Sequence, residues 1–224
     1  MVRLLSPQVF HYTDVMPHGQ RIAELLLNIG AVKLSVDPPF TWTSGIKSPI
    51  YCDNRMLYSH PDARKFVVDA LVQRVHCLHI EPDVIAGTAT AAIGWAALVA
   101  DHMNLPFIYV RAKAKEHGTR KLIEGDLKPE QHVVLIEDLL STAGSAASSV
   151  ETLRSEGKAI VTDVVAIFSY ELESALEKAQ EARVQLHPLS TFSILLKVAV
   201  EQNRISQEDA EAAAAFIKNP EGWR

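Results

Sequence analysis

Residues 132–149, HVVLIEDLLSTAGSAASS, constrain the fold of this chain more than any other stretch. Four consecutive apolar residues, Val133 to Ile136, make a short strand buried on both faces, as in a parallel sheet. Glu137 and Asp138 stand at its C-terminal end, in a strand expected over 132–137. Ser141, Thr142, Ala143, Gly144 and Ser145 then carry the chain into a helix expected near 144–156, which Gly157 ends. In an open parallel sheet, ligands sit just outside the carboxyl ends of strands. A helix start rich in small residues offers free backbone N–H groups to a phosphate. Carboxylates beside it repel a bare phosphate but accept hydrogen bonds from sugar hydroxyls. The pattern points to a sugar phosphate, with the ribose on Glu137 and Asp138 and the phosphate on Ser141–Ser145. No Gly-Lys-Ser/Thr follows, so this is not a Walker A loop.

The rest of the chain repeats the strand–helix theme. Strands are expected at 31–34, 83–87, 106–110 and 159–168, with helices at 20–30, from Ser59 as N-cap to about 78, at 88–103 and at 171–182. The segments LSTFSILLKVAVEQ and SQEDAEAAAAFIKN read as a helical C-terminal tail, and 37–55 does not read as regular structure. Alternating strands and helices imply an α/β fold with a parallel sheet flanked by helices. The 224 residues suit one such unit. It divides into an N-terminal extension (1–19), a helix and irregular segment (20–60), a core (61–185) and the tail (186–224).

Composition narrows the function. A 48% apolar and 22% charged chain is an ordinary globule, and no apolar run reaches membrane-span length. The N-terminus lacks the h-region of a signal peptide. Cys52 and Cys77 form no disulfide framework or metal-ligand spacing, so a reducing, cytoplasmic setting is expected. A net charge of −5 argues against nucleic-acid binding, so a polyanionic ligand needs local positive charge. Residues 111–121, RAKAKEHGTRK, supply it through Arg111, Lys113, Lys115, His117, Arg120 and Lys121, opposed only by Glu116. They sit in a weakly apolar segment of roughly twenty residues between two strands, a length typical of functional lids. A mobile cationic lid suits a departing pyrophosphate.

Three pieces carry a family resemblance. The run 132–145 resembles the phosphoribosyl pyrophosphate (PRPP) motif of type I phosphoribosyltransferases. Arg111, Lys115, His117 and Gly118 are similar in spacing to the catalytic loop of the orotate phosphoribosyltransferases. The segment FTWTSGIKSPIYCDNR (40–55) resembles that family's base-binding hood, and GTATAAIG (87–94) falls at its pyrophosphate-side loop. Departures are Ala112 where some members have Lys, Thr90-Ala91 where several have Tyr-Lys, Thr43 where some have Lys before the hood's Ser-Gly, and Phe168-Ser169-Tyr170 where some have an Arg.

The resemblance implies a type I phosphoribosyltransferase-like sheet with an N-terminal hood, and transfer of phosphoribose from PRPP to orotate in pyrimidine synthesis. It implies PRPP contacts from Arg111, Lys115, His117, Glu137, Asp138, Leu139, Leu140, Ser141, Thr142, Ala143, Gly144 and Ser145, with Lys115, His117, Arg111 and Asp138 in catalysis. Orotate is expected on Ser141 and on hood residues among Lys47, Tyr51, Cys52 and Arg55. Its carboxylate is left to hood N–H groups, Lys47 or Arg55. Mg²⁺ is expected as cofactor, carried by PRPP without a direct protein ligand, and a homodimer with shared sites is implied. The length excludes fusion to the next pathway enzyme, while association with orotidine monophosphate decarboxylase stays open. A purine phosphoribosyltransferase would lack this hood and lid. A nucleic-acid-binding regulator would need a basic face.

Overall fold

The computed structural model describes residues 18–42, 45–112 and 121–223. Helix α1 (Gly19–Ile29) buries Ile22, Ala23, Leu26 and Leu27 along one face, by the i, i+3, i+4 spacing of an amphipathic helix. Gly30 ends it at φ 76°, a left-handed conformation that glycine adopts without a Cβ clash. Strand β1 (Val32–Leu34) is followed by β2 (Phe40–Thr41), β3 (Lys47–Ser48) and β4 (Ile50–Cys52). β1 pairs antiparallel with β4, and β2 with β3. The stretch expected to be irregular therefore holds three strands, each too short to show a period in sequence. A 3-10 turn (Asn54–Ser59) leads to α2 (Pro61–His76), which starts after His60 rather than Ser59.

The main sheet contains β5 (Val84–Thr88), β6 (Phe107–Val110), β7 (Ile123–Glu124), β8 (His132–Leu140), β9 (Ile160–Ser169) and β10 (Gln185–Thr191), in the order β10-β9-β8-β5-β6-β7. All neighbours are parallel except β7, which runs antiparallel to β6. The connecting helices are α3 (Ile93–Met103), α4 (Gly144–Ser155) and α5 (Glu173–Glu181), with α6 (Phe192–Glu201) and α7 (Gln207–Lys218) at the end. Successive strand residues face opposite layers. Val133 and Leu135 join α4 and α5 in one core, while Val134 and Ile136 join α1, α2, α3 and α6 in the other.

From β5 the chain crosses one way to β6 through α3, and from β8 the other way to β9 through α4. Crossovers of one hand that run in opposite directions put their helices on opposite faces. Here α3 packs in one core layer and α4 in the other. The carboxyl ends of β5 and β8 thus part at a topological switch point, the usual place for a ligand crevice.

Three expectations change. Strand β8 continues to Leu140, past both carboxylates. Strand β7 lies within the segment expected to be loop. The tail begins not as helix but as β10, which crosses the expected division between core and tail. Among the described residues, no helix is long and apolar enough to cross a membrane.

Candidate active site

The strand end, the turn and the first residues of α4 come together as the motif requires. Ala143, at φ 54°, turns the chain, and Ala147 N–H donates to its carbonyl at 3.0 Å. The N–H groups of Gly144, Ser145 and Ala146 precede the first intrahelical bond and point out of the helix start. Ser141, Thr142 and Gly144 are half-buried and Ser145 is exposed. Leu140 and Ala143 belong to the core on the α4 side, and Leu139 packs on the opposite core. The side chains of Leu140 and Ala143 are buried, which leaves their backbone groups as the expected PRPP contacts.

Because both carboxylates lie within β8, they leave it on opposite faces. Glu137 turns toward α4. It is 3% exposed, and Ser145 Oγ donates to its Oε1 at 3.0 Å. Burial pushes this carboxyl up to about 7; the Asp138 charge adds to the rise, while bonds from Thr88 and Ser145 oppose it. Asp138 is half-buried on the hood side. Burial raises its carboxyl too, against the pull of its own and Leu139's backbone groups and of Arg55. The two acids are therefore not equivalent. Asp138 is the more accessible one, and Glu137 is a buried neighbour of the 141–145 turn.

Beside them stands the loop after β5, residues 89–92, with a cis peptide between Ala89 and Thr90. Tyr58 Oη, from the 3-10 turn, donates to Ala91 O at 2.6 Å and accepts from Trp95 N–H at 3.1 Å. Asn54 Nδ2 donates to Asp138 O at 2.6 Å. Neither Asn54 nor Tyr58 was expected at the site. A single polar residue after a short strand carries no periodic signal.

The hood residues divide. Cys52 is half-buried, and its Sγ donates to Asn54 Oδ1 at 3.3 Å. Burial, with the charges of Asp138 and Asp53, holds this thiol well above its ordinary value, so it serves as a donor and not as a thiolate. Lys47 is exposed and its Nζ donates to Thr41 Oγ1 at 2.7 Å. Tyr51 is exposed, and its ring lies tilted against Phe40 at 6.0 Å. Arg55 holds Asp53 through Nε and Nη2 at 2.6 and 2.9 Å. Trp42 anchors the hood, stacking on buried Tyr170 and meeting Phe216 of α7 edge-to-face, both at 5.4 Å. Tyr170 thus fills the region where some relatives place an Arg.

Flanking the segment expected to be a lid, Arg111 N–H donates to Leu122 O at 2.9 Å, and Arg111 Nη1 meets Glu124 Oε1 at 3.2 Å. Lys113, Lys115, His117, Gly118 and Arg120 lie outside the described residues. Among the described residues, no three His, Cys, Asp or Glu side chains converge as a metal site.

A switch-point crevice with an acidic strand end and a small-residue helix start defines a phosphoribosyltransferase, and residues 54–201 match the family model of the phosphoribosyl transferase domain. The chain is 45% identical over 209 residues to the orotate phosphoribosyltransferase of Coxiella burnetii, covering 93% of this chain and 100% of that protein. It belongs to the orotate phosphoribosyltransferase family. Solved structures agree. That of orotate phosphoribosyltransferase from Aeropyrum pernix superposes with a TM-score of 0.69 at 28% identity, covering 83% of this chain and 99% of that one. UMP synthase from Leishmania donovani superposes with a TM-score of 0.76 at 27% identity, covering 89% of this chain and 42% of that longer one.

Proposed function

We propose that this protein transfers the 5-phosphoribosyl group of PRPP to orotate, giving orotidine 5′-monophosphate and pyrophosphate in the synthesis of UMP. The observation that carries this reading is the meeting, at one switch point, of Asp138, the 141–145 turn, the 89–92 loop and the hood. The reaction breaks a C–O bond at the anomeric carbon as the base nitrogen approaches, leaving positive charge on the ring and negative charge on pyrophosphate. Asp138 holds ribose hydroxyls and favours the cationic ring. The 141–145 turn anchors the 5′-phosphate, remote binding that fixes alignment. Lys115, His117 and Arg111 stabilise the leaving group, and Arg111 must first exchange Glu124 for it. Glu137 supports the turn through Ser145 and meets a ribose hydroxyl only if that contact opens.

Mg²⁺ belongs to the proposal as an ion carried by PRPP. Its hard oxygen donors are pyrophosphate and water, and half-buried Asp138 is a carboxylate suited to such an ion's hydration shell. When bound, the ion neutralises charge on the leaving group. A homodimer with a lid shared between subunits, a cytoplasmic setting and association with orotidine monophosphate decarboxylase complete the reading. The likeness to a protein named UMP synthase supports the last of these.

The test incubates the protein with PRPP, Mg²⁺ and, separately, orotate, uracil, adenine or hypoxanthine. Loss of orotate absorbance with no turnover of the other bases is the expected result. Turnover of a purine base in preference to orotate overturns the reading.

A further inference from the structure

The ladder between β5 and β8 ends at the pair Gly87↔Ile136. Beyond it the two strand ends part, and they carry the two halves of the PRPP site: Asp138 and the phosphate turn on one, the 89–92 loop on the other. On the α4 face Thr88 lies beside Glu137, and its Oγ1 donates to Ser149 Oγ of α4 at 3.2 Å. On the hood face the 3-10 turn reaches both sides.

Two of its residues reach the two sides. Asn54 is 1% exposed and uses both ends of its amide: Nδ2 donates to Asp138 O, and Oδ1 accepts from Cys52 Sγ. The amide serves both partners, whereas a carboxylate cannot donate and an apolar side chain would strand a buried carbonyl. Tyr58, four residues on, donates to Ala91 O, accepts from Trp95 N–H and stacks on the Trp95 indole at 4.5 Å. Burial pushes its phenol up to about 12, so the donor stays protonated at neutral pH. A Cβ on Gly94 would lie 2.8 Å from Tyr58 Oη, so this glycine makes the close approach to α3 feasible. The turn between them is firmly held. Arg55 N–H donates to Asp53 Oδ1 at 3.2 Å, Met56 N–H to Asp53 O at 3.2 Å, and Leu57 is fully buried.

We infer that Asn54 and Tyr58 are positioning residues, the two ends of a strut that sets the distance between the ribose carboxylate of Asp138 and the pyrophosphate-side loop at Ala91. The inference rests on the transferase reading above, and adds that substrate alignment is set by two side chains that hold main-chain groups of the site. The thiol of Cys52 extends the same strut into the hood.

The experiment compares the full-length wild type with Asn54→Ala, Tyr58→Phe and the double variant. It reads kcat, KM for each substrate and Tm, and measures the binding of ribose 5-phosphate and of Mg²⁺-pyrophosphate by calorimetry. Misplacement of reacting groups by a fraction of an ångström costs about tenfold or more, so kcat/KM for PRPP falls by about that factor in each single variant, with orotate KM within about threefold. Asn54→Ala weakens ribose 5-phosphate more than pyrophosphate, and Tyr58→Phe does the reverse. A strut fails when either end is cut, so the double variant turns over no more than about twofold slower than the worse single one.

A purely structural role predicts a lower Tm with unchanged KM values and ligand affinities, and that result overturns the inference, as do multiplicative losses in the double variant. Tyr58→Phe removes one oxygen and keeps the ring stack, so it carries the test alone if Asn54→Ala does not fold. If wild type ignores orotate, the transferase reading fails separately, while the two binding measurements still report on the strut.

Discussion

Glu137 carries a conflict between burial and charge. Its carboxyl is buried against Ser145 and Thr88, and its ionisation is lifted from an ordinary 4.5 to about 7. Below pH 4.5 the group is protonated in both folded and unfolded chains and costs nothing electrostatic. As pH rises through 7 the unfolded chain ionises first, and folding loses roughly 3 kcal/mol. Glu137→Gln keeps the shape and the bond from Ser145 but removes that loss. Thermal unfolding should therefore rise by several degrees at pH 8 and change little at pH 4. Turnover should fall in the same variant if the carboxylate serves the ribose, an exchange of stability for activity common at active sites. An unchanged Tm at pH 8 would mean that the carboxyl is solvated in solution.

At the scale of elements, the site depends on tight joints. Gly94 opens the second residue of α3 against Tyr58, with room for hydrogen but not for a methyl group. Gly94→Ala should push the ring away, break the bonds to Ala91 and Trp95, and destabilise by about 1–3 kcal/mol, read as a fall in Tm together with a raised KM for PRPP. A variant as stable as wild type, with unchanged PRPP KM, would remove the joint from the account. In the proposed reading the segment 111–121 acts through its charge. Lys115→Ala should lower kcat sharply, by about a hundredfold as for loss of one preorganised electrostatic contact, with a smaller effect on orotate KM. Near-normal turnover would withdraw Lys115 from the leaving-group role.

For the whole molecule, the proposal of shared sites makes an arithmetic prediction. Lys115→Ala and Asp138→Asn chains, each nearly inactive, are mixed under conditions where subunits exchange. If the lid crosses to the partner, one site of the hybrid collects both defects and the other neither. Activity then returns to up to about half of wild type per hybrid. The double variant mixed with wild type places one defect in each site, and its hybrid should be nearly dead. No recovery in the first mixture, with exchange demonstrated by mass spectrometry, would assign each lid to its own chain. The electrostatic role of the lid would survive that result.

What the sequence by itself determined is local and periodic. The apolar run of β8, its acidic end and the small residues opening α4 were legible at 132–149 because strand burial, helix start and phosphate chemistry all show in consecutive residues. The tertiary structure decided what depends on distant partners. β10 escaped because Pro188 interrupts its pattern, and it forms because it is an edge strand paired to β9 alone, where a missing N–H is tolerated. The hood strands form from pieces of two or three residues only because they pair with each other and are anchored by Trp42. The unequal fates of Glu137 and Asp138 follow from both lying inside β8, where Glu137 turns toward α4 and the next residue, Asp138, toward the hood. Asn54 and Tyr58 gained their place because a gap opens where β5 and β8 part, and the ends of a gap that joins residues 54–58 to 91 and 138 are set by folding.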